Sequence, residues 1–210
     1  MRKHLLIGAI AVGLLAPLAA HAQVNVVPQV GQINSIVKSQ TYAAVSRGLA
    51  PAASATDLFC ISGSASKSIS VKRIEISGTA GTLVTAPFTL VRRVTLDTGG
   101  TAATGAALPV ATAMLSTNAA STATLTAYTA NPTINDSSPT YFRSQWLTLP
   151  VTSAGTSVRP IVWDFSTSQD ILAQGLDIAK GNTTYQYCVN LNGVSVSSGL
   201  IDINILWTEN

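Results

Sequence analysis

Near its C-terminal end the chain alternates with a period of two. Ile201, Ile203, Ile205 and Trp207 fall on one side of Asp202, Asn204 and Leu206. Tyr185, Tyr187, Val189 and Leu191 alternate in the same way before a turn signal at Asn192-Gly193. A period of two sends successive side chains to opposite faces, so each run reads as a strand with one apolar face to bury. The pattern recurs upstream. Ile69 and Val71, then Ile74 and Ile76, alternate with a change of phase at Lys72-Arg73, where a β-bulge would sit. Leu58–Ile61, Thr89–Leu96, Thr122–Tyr128, Trp146–Leu149 and Pro160–Phe165 are further strand-like runs. Turn residues separate them, notably Gly99-Gly100 and the stretch between Pro132 and Pro139. Helical spacing shows only over Ile33–Val45 and, more weakly, Ser168–Ile178. Many one-faced strands between turns predict an all-β fold, an antiparallel two-sheet sandwich that is jelly-roll-like. A Greek-key, immunoglobulin-like arrangement is the rival.

Three regions follow from the pattern. Residues 1–22 read as a signal peptide: Arg2-Lys3, the uncharged apolar run Leu5–Ala20, and Ala20-His21-Ala22 as the cleavage signal before Gln23. Residues 23–54 read as an N-terminal arm. It begins Val24-Asn25-Val26-Val27-Pro28, holds the short helix expected within Ile33–Val45, and ends in the small-residue run Ala50–Ser54. Residues 55–210 are the sandwich domain. The expected location is exported, whether periplasmic, cell-surface or extracellular, with no membrane span after processing.

Processing also changes the chemistry on offer. The two histidines, His4 and His21, lie in the signal segment, so residues 23–210 contain none. That removes the side chain best suited to proton transfer near neutral pH and to transition-metal binding. Removing Arg2 and Lys3 from the 12 basic residues leaves 10 against 9 acidic ones, a balance that argues against a nucleic-acid partner. No glycine-rich phosphate loop and no EF-hand-like run of oxygens is present, so no cofactor and no metal are expected.

Paired carboxylates are the remaining route to catalysis, as in glycoside hydrolysis. Asp164, between Trp163 and Phe165, is the most suggestive of the nine, but strand alternation points it outward while the two aromatic rings fill the core. Asp97 and Asp136 stand beside turn residues, where Asp commonly caps the backbone. No catalytic residue is therefore assigned. Tyr128, Tyr141, Trp146 and Trp163 are the candidates for stacking against a ligand. Asn135-Asp136-Ser137 and Asn182-Thr183-Thr184 match the N-glycosylation tripeptide. Cys60 and Cys188, an even count in an exported chain, are expected to form a disulfide; two buried thiols are the alternative.

Several phrases taken together resemble a known group: Ala55–Ala65, Ile69–Gly78, Leu90-Val91-Arg92-Arg93 with Gly99-Gly100-Thr101, Ala127–Pro132, and Leu191-Asn192-Gly193 leading to Asp202–Glu209. They resemble uncharacterised β-sandwich structural proteins of tailed phages and prophages. The resemblance implies a particle or fibre component with no catalytic residues to carry across. The added signal peptide and the two cysteines depart from that group and favour a cell-exported relative.

The function expected is an exported structural or interaction protein, a subunit of a surface or particle assembly that forms homo-oligomers through its N-terminal arm. The alternatives are a module binding a glycan or other cell-surface ligand, and a carboxylate-based hydrolase.

Overall fold

The period-two runs become strands in the computed structural model, which describes residues 39–154, 159–166 and 176–210. The strands are β1 (Gln40–Leu49), β2 (Asp57–Ser62), β3 (Ile69–Thr79), β4 (Val84–Arg93), β5 (Thr101–Ala102) and β6 (Thr112–Ala113). They continue with β7 (Thr124–Ala130), β8 (Thr140–Leu149), β9 (Ile161–Asp164), β10 (Leu176–Ile178), β11 (Gln186–Asn190) and β12 (Leu200–Glu209). One sheet runs β10-β3-β12-β1-β6, with β9 also on the free side of β3; the other runs β5-β7-β2-β11-β4-β8. Every strand pairing within them is antiparallel.

The pairs are nested. β1 pairs with β12, β2 with β11, β3 with β9 and β10, and β4 with β8. Successive pairs fall alternately in the first and second sheets, as happens when one long hairpin is rolled up. That is the jelly-roll order, and it sets aside the immunoglobulin-like rival. The excursion between β4 and β8 adds β6 to the first sheet and β5 and β7 to the second.

The apolar faces meet between the sheets. Ile201, Ile203, Ile205 and Trp207 of β12 are buried, as are Ile69, Val71, Ile74 and Ile76 of β3. The switch from odd to even numbers in β3 occurs at Lys72: Leu206 faces Arg73 while Trp207 faces Val71, which leaves Lys72 as the extra residue of a bulge. Tyr42 and Trp207 are cross-strand partners whose rings stack with centroids 5.7 Å apart. Burying side chains of this size contributes roughly 2–3 kcal/mol each.

Two expectations change here. Gln40–Leu49, assigned by sequence to the arm, is a strand held between β12 and β6, and the 40–45 part of the expected helix is extended. Leu176–Ile178, inside the second helical expectation, is strand β10. Tertiary pairing outweighs the local helical spacing in both cases. The signal segment, residues 23–38 of the arm and residues 167–175 lie outside the described residues. Among the described residues no helix is long and apolar enough to cross a membrane.

Candidate functional site

The most unusual chemistry lies on the outer face of the second sheet. Inward, β2, β11 and β4 present Phe59 and Ile61, Tyr187 and Val189, and Phe88 and Leu90 to the core. The alternate positions point away from the core, yet they are also buried: Cys60, Gln186, Cys188, Asn190, Thr89 and Arg93. A bulge at Leu58 brings Asp57 to the same face, opposite Asn190.

Cys60 and Cys188 are direct cross-strand partners on β2 and β11, with Cα atoms 4.2 Å apart and sulfurs 2.09 Å apart, at disulfide distance. Tyr128 of β7 packs against the pair. Next to it, Arg93 clamps Asp57. Its Nη2 donates to Asp57 Oδ1 at 2.9 Å, and its Nε makes a very short contact to Oδ2. Asn190 Nδ2 also donates to Asp57 Oδ1.

A second carboxylate enters from the loop that follows β4. Asp97 has a fully buried side chain, with Oδ2 lying 3.7 Å from Cys60 Sγ and Oδ1 3.8 Å from Arg93 Nε. Oδ1 makes no hydrogen bond among the described residues. Burial first, and then the neighbouring Asp57 carboxylate, push the Asp97 carboxyl up to about 7, against the pull of Arg93. The same carboxylates, with Asp136, hold the Arg93 guanidinium in its charged form despite its burial. Two carboxyl groups thus share one guanidinium, and one of them keeps a proton near neutral pH.

Asp57, Cys60, Asp97 and Cys188 place four potential metal donors within 4.8 Å of one another. With the sulfurs bonded to each other and Asp57 held by Arg93 and Asn190, the donor set does not fit a cation in this state. The two carboxyl side chains are also sealed from solvent, so no sugar reaches them in this conformation. Sequence reasoning treated Asp97 as a turn residue. Arg93 is four residues away, but Asp57 and Cys60 lie dozens of residues away in the chain, and no local signal marks them.

The other candidates are dispersed. Tyr141 and Trp146 on β8 are 62% and 66% exposed, whereas Trp163 and Tyr128 are 5% and 8% exposed. The four therefore make no common platform. Trp163 belongs to the core, and Tyr128 packs beside the disulfide. Tyr141 and Trp146 do share the outer face, because a bulge at Phe142 restores the phase: Trp146 faces Pro87 and Tyr141 faces Val91. Those partners are four positions apart on β4, roughly 14 Å along the strand. Tyr141, with Thr89, Arg143, Ser144 and Asn192, lines a shallow hollow of about 320 Å³; Trp146 is not part of its lining.

Asp164 points outward, as alternation predicts, while Trp163 and Phe165 are buried. Its carboxylate accepts bonds from the Ser166 hydroxyl and backbone N–H, which hold it below the ordinary range. Asp136 caps two backbone N–H groups, those of Val94 and Ser138. Asn135, in one glycosylation tripeptide, already donates its Nδ2 to Leu96 O and Thr98 Oγ1. No protein-family model matches the chain, and neither a curated protein nor a solved structure matches it.

Proposed function

We propose that the protein is an exported structural subunit that associates with copies of itself to build a surface layer, filament or particle. The observation that carries this reading is the inequality of its sheet edges. β5 and β6 are two residues long, and the free side of β3 is covered by the short strands β9 and β10. Short edge strands blunt pairing between molecules. β8 is different: ten residues, paired among the described residues to β4 alone, with no Lys or Pro inside it, with Tyr141 and Trp146 exposed, and with Arg143 and the bulge at Phe142 as its edge-blunting features. A long edge of this kind offers main-chain partners to another chain, most freely over Ser144–Leu149 beyond the bulge. The N-terminal segment of another copy, with its apolar Val24–Val30 and edge-compatible Pro28, is the partner this reading favours. The near-balanced charge and the resemblance to phage structural proteins support the same reading.

Sedimentation of the mature chain across a concentration series tests it, alongside electron microscopy. Assemblies are expected, and Ser144→Lys in β8 is expected to dissolve them. A monomer at all concentrations overturns the reading. The contribution of the arm is tested by removing residues 23–38 only, because a longer deletion takes away β1.

A second reading, recognition of a glycan or surface ligand, is favoured by exposed Tyr141 lining the hollow, with exposed Trp146 further along the same face of β8. Loss of glycan retention in Trp146→Ala, with assembly unchanged, is its test.

A further inference from the structure

The loop after β4 is built to be held from beneath. Val94, Leu96, Thr98, Gly99 and Gly100 are exposed, yet Asp97 in their midst has a fully buried side chain lying against the disulfide. Gly99 and Gly100 take φ of 65° and 73°, the left-handed backbone that returns the chain toward β5. The rim of the loop is pinned by polar bonds: Thr98 and Thr133 exchange backbone bonds of 3.1 and 2.7 Å, and Val94 N donates to Asp136. The contact at its centre is the Asp97 carboxyl, 3.7 Å from Cys60 Sγ.

Every charged or titratable group facing Asp97 enters the balance. Asp57 stands beside it from β2, Arg93 from β4 and Tyr128 from β7, while Asp136 acts on Arg93 from the 131–139 loop. Arg93 is committed bidentately to Asp57. An ionised Asp97 would therefore be a second buried carboxylate whose Oδ1 has no hydrogen bond among the described residues and faces Arg93 Nε only at 3.8 Å. In an opened loop the same group meets water and ionises as an ordinary carboxylate.

We propose that residues 94–100 form a proton-held cover over the Cys60–Cys188 disulfide, closed while Asp97 is neutral and opened by its ionisation, so that thiol reductants reach the bond as pH rises. In the step admitted, an external thiolate attacks one cysteine sulfur and the other leaves as a thiolate that takes a proton from solvent. A second thiol then resolves the mixed disulfide, leaving two cysteine thiols on the protein and the reductant as its own disulfide.

The proposal is tested by the rate at which a water-soluble phosphine reduces the disulfide of the mature protein between about pH 4.5 and 8.5, each rate divided by that for oxidised glutathione. Opening releases a proton over the range in which closed and open states differ, so the relative rate is expected to climb, by at most about tenfold per pH unit, and to level off near pH 7. In Asp97→Asn the relative rate is expected to be flat. In Asp57→Asn, which leaves Arg93 to pair with Asp97, the climb is expected to shrink, and this variant decides the matter if Asp97→Asn does not fold. A flat wild-type profile, or the same climb in the variants, overturns the proposal.

Discussion

Arg93 and Asp57, 36 residues apart in sequence, form a fully buried two-point ion pair across the outer face of the second sheet, and Asp97 competes for the same guanidinium. Removing the cation should therefore cost more than removing either anion. Arg93→Met is expected to lose about 3–5 kcal/mol at neutral pH, since it leaves Asp57 buried and uncompensated. Urea unfolding gives the measurement.

Asp97→Asn should behave oppositely. The folded state holds the Asp97 proton up to about pH 7, whereas the unfolded chain releases it near the ordinary carboxylate value. Between about pH 4 and 7 the folded state binds more protons, so wild-type stability from this group falls as pH rises through that window. The variant is expected to gain on wild type from pH 4 to 7 and to hold that gain above it, as read from urea midpoints.

Glu209 has the reverse sign. It is buried, which works against its charge, but it accepts bonds from Ser121 Oγ at 2.6 Å, Trp207 Nε1 at 3.1 Å, and the backbone and hydroxyl of Thr122. These hold its carboxyl below the ordinary value. Glu209→Gln is expected to lose about 1–3 kcal/mol at neutral pH. The deficit should shrink as pH falls through the folded value of the wild-type group, where its own carboxylate takes a proton.

The disulfide closes a sequence separation of 128 residues. Replacing both Cys60 and Cys188 with Ala is expected to lower stability by roughly 4–5 kcal/mol on the chain-entropy account. Peptide mapping without reductant should recover the two cysteines linked; two alkylatable thiols in exported material would refute the pairing.

Gly63 follows β2 at a close approach. A Cβ there would lie 2.0 Å from the Asn182 carbonyl oxygen and 2.6 Å from Ile178 Cγ2. The turn after β10 cannot yield without losing the bond from Gly63 N to Tyr185 O. Gly63→Ala is expected to destabilise the fold by about 2–4 kcal/mol, measured as a lowered thermal midpoint.

Much of this architecture is legible one strand at a time. Alternation locates β3, β11 and β12, its slip at Lys72-Arg73 locates the bulge, and the Trp163-Asp164-Phe165 triplet gives the outward carboxylate. β1 is not legible in that way. Tyr42, Val45 and Leu49 recur at helical intervals, and its neighbours Ala43 and Ala44 suit either state, so only the pairing with β12 decides. β8 is legible only over Trp146–Leu149, and its first six residues hide for another reason. As an edge strand open to water on much of both faces, it carries no clean apolar rhythm. The Asp57–Arg93–Asp97 cluster is invisible because a polar layer on the back of a sheet looks in sequence like any solvated face until a loop folds over it.

The nested pairing of β1 with β12 and of β2 with β11 also governs how the fold is reached. Nearly every stabilising neighbour lies far along the chain, which is the high-contact-order regime associated with slow folding. β12 sits between β1 and β3 and supplies Trp207 to the core, so until Leu200–Glu209 has been synthesised the first sheet has a gap in its middle. Shorter nascent chains are left with unpaired apolar strands, and a helper that delays their collapse would act on the emerging polypeptide rather than on the finished protein.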